Sequence, residues 1–215
     1  MELLYADKRI AVAVKPPGVL STDEPGGMPE LLRAQLGTPC IRTVHRLDAA
    51  TGGVMVFSRR REVTGKLTAA VQAHELVKEY LAVLRGHPQE PAATLTDLLF
   101  RDAGRNKSYV VQRPRKGVRE ASLEYRELFR TEELSLVRVR LHTGRTHQIR
   151  VQFAGRGFPL VGDRKYGRAG DGETLALWAW RLAFTHPETG RDMVFTHQPP
   201  AAWPWTLFPL PETGK

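Results

Sequence analysis

The sequence predicts an α+β fold built around a largely antiparallel sheet. Many short apolar runs have strand-like length, only three segments have helical periodicity, and no βα unit repeats along the chain. Parallel neighbours need long crossover connections, so successive strands without intervening helices favour antiparallel pairing. The 215 residues fit one domain, or one domain with a lobe, and suffice for a sizeable core.

The chain is predicted to begin with a β-hairpin. Residues 3–5 and 10–14 are short apolar runs, and the polar residues 7–9 separate them. Residues 16–27 are rich in Pro, Gly and Asp, which is typical of a loop.

Three helices are predicted. The first spans residues 29–36, because Pro29 suits a first helical turn and Gly37 follows the last one. Residues 60–75 form the second, since their apolar side chains recur at helical spacing. Residues 145–155 form the third.

Strands are predicted wherever β-branched and apolar residues cluster or alternate. They cover residues 53–58, 76–84, 94–100, 108–112, 121–129, 134–142, 175–185 and 193–197. The proline-rich tail that follows is expected to wrap the surface without an element of its own. The whole chain, 1–215, is interpreted as a single domain of two lobes, with a flexible joint near 86–93.

The charge balance indicates a polyanionic partner. The chain has 32 Lys and Arg against 23 Asp and Glu, a sequence pI near 10.0, and a net charge of +9. Nucleic acid is the commonest partner for such an excess, and a generically basic protein is the alternative. Cys40 is the only cysteine, which excludes an intrachain disulfide and a cysteine-based zinc site. We expect a cytoplasmic protein, because no signal peptide or membrane-spanning run is evident.

Asp48 is the first candidate catalytic residue. It follows His45 and Arg46, two side chains that can carry a positive charge, and such neighbours favour an ionised carboxylate. A positioned carboxylate can act as a nucleophile or a general base. Taken alone, the string fits a turn before a strand equally well.

Several motifs, in order, make the chain resemble the RluA family of pseudouridine synthases. They are KPPGV at 15–19, HRLDAATGG at 45–53, KEYLAVLRG at 78–86, LHTGRTHQIR at 141–150 and GDRKYG at 162–167. The likeness implies the pseudouridine synthase fold, a curved mixed sheet with flanking helices and a central catalytic cleft. It implies an isomerase that converts uridine to pseudouridine in RNA without a cofactor or a metal. The family's S4-type RNA-binding domain is not expected here, because KPPGV begins at Lys15.

The resemblance also implies roles for single residues. Asp48 matches the catalytic aspartate, and the resemblance leaves open whether it attacks covalently or deprotonates the ribose. Tyr80 matches the active-site tyrosine, although core packing is the ordinary role of a strand tyrosine. Arg145 matches the basic residue that pairs with the aspartate, and a surface arginine is the alternative. Arg46 matches the arginine that displaces the target base, and an ordinary phosphate contact is the alternative. Arg150 is interpreted as structural or phosphate-facing.

A basic segment is the first choice for holding the RNA backbone. Residues 101–119 contain seven Lys and Arg but only Asp102 as an acid, which indicates a hairpin arm with a basic tip. The residues proposed to contact RNA are Lys107, Arg113, Arg115 and Lys116. A solvated charged loop is the alternative.

Two rival functions and a metal site fit the sequence less well. A non-catalytic RNA-binding protein of the same fold would not need Asp48, Tyr80 and Arg145 together. A nuclease or glycosidase would need a metal or a second catalytic carboxylate, and none is evident near Asp48. His142 and His147 straddle a predicted turn, which argues against zinc. The expected partners are ribosomal RNA, transfer RNA or both, and the protein is expected to be a monomer.

Overall fold

The computed structural model describes residues 1–167 and 174–212. The chain divides into two compact units. The first contains Met1–Lys78 and Trp178–Pro199, and the second contains Glu79–Leu177 and Pro200–Pro211. Residues 86–93, predicted to be a joint, lie within the second unit.

The helices and strands of the described residues follow the predicted alternation. The strands are β1 (Leu3–Ala6), β2 (Ile10–Lys15), β3 (Arg42–Thr43), β4 (Gly52–Ser58), β5 (Val77–Arg85), β6 (Ala92–Asp102), β7 (Lys107–Val111), β8 (Val118–Arg130), β9 (Leu134–Leu141), β10 (Leu177–Thr185) and β11 (Asp192–Thr196). The α-helices are α1 (Met28–Leu36), α2 (Arg61–Gln72) and α3 (Gln148–Ala154), and Trp205–Leu207 form a short 3-10 helix. Strands therefore dominate, as the sequence predicts.

The first unit is built on a mixed sheet with strand order β1-β2-β4-β10-β11, and β3 also pairs with β4. β10 runs parallel to β4, whereas the other pairs are antiparallel. Every residue of β2 and β4 is buried, which explains why both strands read as continuous apolar runs. Alternate residues of both strands join Leu67 of α2 and Phe184 of β10 in one core cluster, namely Ile10, Val12, Val54 and Val56.

The second unit is built on an antiparallel sheet with strand order β5-β9-β8-β6-β7. Val151 of α3 packs against Leu99 of β6 and Ala121 of β8. Phe153 of α3 meets Tyr125 of β8 edge to face, with ring centroids 5.3 Å apart. The α+β, mostly antiparallel fold class is therefore confirmed.

Three local predictions were wrong. The third helix begins at Gln148 rather than at residue 145, because His147 has a left-handed backbone with φ of 55°. The two-residue strand β3 was missed. The tail also forms an element, since the 3-10 helix buries Trp205 and brings Phe208 into the interior.

Candidate active site and RNA-binding surface

Asp48 lies on the loop between β3 and β4 of the first unit, where its side chain is partly exposed. The backbone N–H of Thr51 donates to the carbonyl oxygen of Asp48 at 3.0 Å, which closes a tight turn before β4. Ser21 fixes the preceding residue: its Oγ donates to the carbonyl oxygen of Leu47 at 2.9 Å and accepts from the Leu47 N–H at 3.1 Å. Arg46 directly precedes Leu47 and is exposed.

Lys15 ties this loop to the end of β2. Its side chain is fully buried, and its Nζ donates to the carbonyl oxygens of Pro16 at 2.9 Å, Val19 at 2.6 Å and Ala49 at 3.0 Å. Burial lowers the pKa of Lys15 to about 8, and attraction to the Asp48 carboxylate opposes this effect. The sequence places Lys15 in the KPPGV motif but gives it no role. The sequence signal that could have indicated a role for Lys15 is its position at the end of an otherwise apolar strand.

His45 does not supply a positive charge beside Asp48, contrary to the sequence-based expectation. The ring is buried, and its Nε2 accepts the backbone N–H of Val56 at 3.1 Å. Burial, with a smaller contribution from Lys78, lowers the pKa of His45 to about 3. His45 is therefore a neutral anchor between the loop and β4.

Tyr80 lies on β5 of the second unit, opposite Val139 of β9. Its side chain is 6% exposed. Backbone pairing along the length of β5 fixes the direction of this side chain, because strands alternate their faces.

Arg145 lies just before α3 and is exposed. Its Nε donates to the carbonyl oxygen of Glu120 at 2.8 Å, and its backbone N–H donates to Oε1 of Gln148 at 3.0 Å. Gln148 also accepts from the Thr143 hydroxyl at 2.8 Å. The loop that carries Arg145 is thus fixed by the first residue of the helix.

Arg150 differs from Arg145 because it is only 5% exposed. Its Nε and Nη2 donate to the two carboxylate oxygens of Asp163, each at 2.7 Å. Asp163 also accepts the backbone N–H groups of Lys165 and Tyr166. Burial raises the pKa of Asp163, but these bonds, together with the Arg150 charge, outweigh burial and lower it overall. Sequence reasoning left Arg150 without a partner.

The predicted basic segment forms two exposed stretches rather than one arm. Strands β6 and β7 make a hairpin, and residues 112–117 then connect β7 to β8. Arg113, Arg115 and Lys116 lie on this connection and are exposed, with the Arg115 guanidinium 4.7 Å from the Phe100 ring centroid. None of these three cations makes an ion pair within residues 1–167 and 174–212.

Lys107 differs from these three cations because it has partners within the second unit. It is half-buried, its Nζ donates to the carbonyl oxygen of Lys165 at 2.7 Å, and it lies 5.0 Å from the Tyr166 ring centroid. Lys107 therefore contributes to the fold of the second unit, and its contact with RNA stays a prediction.

The part of the chain that carries most of the motifs resembles known proteins. A model of the RNA pseudouridylate synthase family matches residues 9–155. The chain belongs to this family. The dual-specificity RNA pseudouridine synthase RluA of Yersinia pestis is 35% identical over 206 residues, covering 91% of this chain and 97% of that protein. An RNA pseudouridine synthase of Aquifex aeolicus is 34% identical over 223 residues, covering 93% and 70%.

Solved structures agree on the fold. The human RNA Pseudouridylate Synthase Domain Containing 1 matches with a TM-score of 0.78 at 24% identity, covering 94% of this chain and 84% of that one. Taken together with the sequence relatives, this makes the chain an RNA pseudouridine synthase, an isomerase that acts on RNA.

The synthase departs from the usual family pattern at Gly52, where serine is common. A Cβ atom built on Gly52 would lie 2.3 Å from the Trp178 ring and 3.0 Å from Cδ of Pro17. The indole occupies the space of the missing side chain, and its Nε1 donates to the carbonyl oxygen of His197 at 2.8 Å. The glycine is thus required by packing and does not leave an empty space.

The histidines discussed as metal ligands have other partners. His142 is exposed and lies 3.6 Å from Glu124, whereas His147 is buried and its Nδ1 lies 2.9 Å from the Tyr166 hydroxyl. Over the described part of the chain, no three His, Cys, Asp or Glu side chains are grouped to hold a metal ion. None of the helices in residues 1–167 and 174–212 has the length and apolarity that a bilayer crossing requires.

The buried, neutral state of His45 gives a prediction about pH. Its pKa is about 3 when folded and about 6.5 when unfolded, so only the unfolded chain takes up this proton between those values. Stability then falls as the pH drops below about 6.5, by about 2 kcal/mol from this residue at pH 5. His45→Gln should flatten this loss in urea titrations at pH 7 and pH 5. An equal loss in the parent and the variant would contradict the assignment.

Proposed function

We propose that the synthase modifies specific uridines in ribosomal RNA, transfer RNA or both, and that it acts as a monomer. The relatives named dual-specificity enzymes and the net charge of +9 support the choice of RNA substrate, and the monomeric state is a prediction from sequence. The cytoplasmic location remains a prediction from sequence. Mapping pseudouridines across total RNA with and without the gene would identify the substrate.

The reaction requires three catalytic roles. The C1′–N1 bond of uridine breaks, the uracil turns, and a C1′–C5 bond forms, while the proton leaves C5 and N1 ends protonated. Atoms and electrons balance without an oxidant or a cofactor. A carboxylate must act on the ribose, a base must take the C5 proton, and the detached uracil must be retained.

We assign the carboxylate to Asp48. The observation that carries this assignment is the loop itself, which Lys15, Ser21 and His45 fix from three sides while Asp48 stays partly exposed. A reacting group held on such a loop loses little freedom when the substrate binds. Either covalent attack or deprotonation of the ribose is compatible with this arrangement.

Tyr80 is proposed to face the uracil. A phenol offers an aromatic surface for stacking and, with assistance, an oxygen that accepts the C5 proton. Its position on a hydrogen-bonded strand would keep the ring fixed while the base turns.

The basic group of the LHTGRTHQIR motif has two candidates. Arg145 is the residue that the family motif indicates, and its exposure would also suit a contact with RNA. Arg150 is buried and held in a fork by Asp163, which is the fixed geometry that electrostatic stabilisation of a reacting group requires. We propose Arg150 as the stronger candidate for that role.

RNA contacts are proposed for Arg46 and for the exposed cations Arg113, Arg115 and Lys116. The target nucleotide must leave its stack to react, and the planar guanidinium of Arg46 can occupy the vacancy. The other three cations would contact phosphates, because no carboxylate in the described residues competes for them.

Asp48→Asn should abolish pseudouridine formation and leave RNA affinity within a few-fold of the parent. The amide keeps the shape of the side chain but can neither attack nor deprotonate. Loss of such a group costs orders of magnitude in rate. Single-turnover assays would measure it, and residual activity above about one per cent would contradict the assignment.

Tyr80→Phe and Tyr80→Ala separate proton transfer from stacking. Phe keeps the ring and loses the oxygen, so we expect a rate lower by roughly 10²–10⁴-fold with RNA affinity retained. Ala should also weaken RNA binding, by about 1–3 kcal/mol of stacking. Parent-like turnover by the Phe variant in single-turnover assays would leave Tyr80 with a stacking role alone.

Arg150→Lys should lower the single-turnover rate by about 10²-fold, because one ammonium cannot reproduce the fork that the guanidinium presents. Arg145→Lys should cost about tenfold or less, since the exposed side chain keeps its charge. Circular dichroism would confirm that both variants are folded. A larger loss for Arg145→Lys than for Arg150→Lys would restore Arg145 to the basic role.

A further inference from the structure

The first unit has a second feature suited to RNA, at the far end of β4 from Asp48. β4 begins just after the Asp48 loop and ends at Ser58, so its seven residues separate the two places by about 20 Å. A pocket of about 440 Å³ lies there, lined by Asp7, Lys8, Thr38, Pro39, Cys40, Arg59 and Arg60. We call it the β4-end pocket.

Cations dominate the β4-end pocket. Lys8, Arg59 and Arg60 line it, Arg42 pairs in register with Ser58, and Arg61 begins α2. Within the described chain, none of these five cations makes an ion pair with a carboxylate. Their mutual repulsion destabilises the free protein, and a bound anion would relieve it.

The acidic groups around the pocket are committed elsewhere. Asp7 accepts the Tyr5 hydroxyl at 2.9 Å, the backbone N–H groups of Arg9 at 2.7 Å and Ile10 at 2.8 Å, and lies 3.0 Å from His186 Nε2. Glu188 pairs with Arg9, and Glu62 in the first turn of α2 acts electrostatically on Arg9. These carboxylates leave the pocket strongly positive.

Arg59 is held at the side of the pocket. Its Nη1 donates to the carbonyl oxygen of Asp7, which fixes the guanidinium. Its Nε is buried without a hydrogen-bond partner in the described residues. A guanidinium fixed in this way loses little entropy when it binds a phosphate, whose oxygens match its donors.

We propose that the β4-end pocket binds a phosphate of the RNA backbone, away from the uridine that reacts. The proposal rests on the synthase acting on RNA, and it adds a contact outside the five sequence motifs of the family. An RNA held both at Asp48 and at this pocket must extend along β4, so the pocket would favour substrates that continue beyond the target nucleotide.

The test compares two charge-matched variants. Lys8→Gln with Arg60→Gln removes two cations from the pocket, and Lys66→Gln with Arg191→Gln removes two exposed cations elsewhere in the first unit. Binding of transcribed transfer RNA and of a large-subunit ribosomal RNA fragment is measured by fluorescence anisotropy from about 50 to 200 mM salt.

The pocket variant should flatten the dependence of log K on log salt by about 1.4, at ~0.7 per lost single-strand contact. The matched control should keep the parent slope. Equal flattening in both variants would show a general effect of net charge, and unchanged slopes in both would show that RNA does not reach the pocket. Either result would overturn the proposal.

Two further measurements separate the remaining explanations. Inorganic phosphate is titrated at constant ionic strength while the amide resonances of residues 59–63 are followed by NMR. Millimolar binding that RNA displaces supports the proposal, whereas micromolar binding that RNA does not displace would assign the pocket to free phosphate.

Pseudouridine formation by the parent on the same RNA tests the proposed function separately. An Arg113→Gln, Arg115→Gln variant serves as the reference for loss of contacts on the second unit.

Discussion

The burial of Lys15 constrains the loop of the first unit that carries Asp48. Removing an ammonium from water is costly unless its donors are satisfied, and here three backbone carbonyls satisfy them. Two of these belong to the KPPGV segment and one belongs to Ala49, beside Asp48. The two segments are distant in sequence, yet neither can move without leaving the buried Lys15 ammonium with an unsatisfied donor. The position of the Asp48 loop therefore depends on the hydrogen bonds that the buried Lys15 ammonium needs.

The second unit also depends on a buried charged group whose hydrogen bonds are satisfied, but here the partner is a carboxylate rather than backbone carbonyls. Arg150 and Asp163 form a buried, doubly hydrogen-bonded pair, and Asp163 also orders the turn that contains Tyr166. Tyr166 then lies beside His147, whose left-handed backbone sets where α3 begins. A pair of this kind adds little net stability but strongly penalises any arrangement that breaks it. The Arg150–Asp163 pair thus gives the segment around α3 a unique geometry rather than extra stability.

The sequence predicted the elements well because their signals are local. Period-two and helical patterns located all but one of the described strands and all three α-helices, with errors of a few residues at their ends. It did not predict which groups become partners across the chain. The neutral state of His45 depends on burial against β4, and the fork of Arg150 depends on a residue thirteen positions away. The bond from Lys107 to the Lys165 carbonyl oxygen was not predicted, because a backbone acceptor carries no sequence signal.

The two departures from the family pattern have structural compensation, so they do not argue against catalysis. Trp178 fills the space beside Gly52. Gln152, where the family often has histidine, is fully buried, and its Nε2 donates to Asp97 at 2.8 Å. Asp97 also accepts from Arg156, so the amide joins α3 to β6 through a shared carboxylate. Because Trp178 packs beside Gly52 and Gln152 Nε2 bonds within its own unit, the loop that carries Asp48 and the helix that carries Arg150 keep their supports.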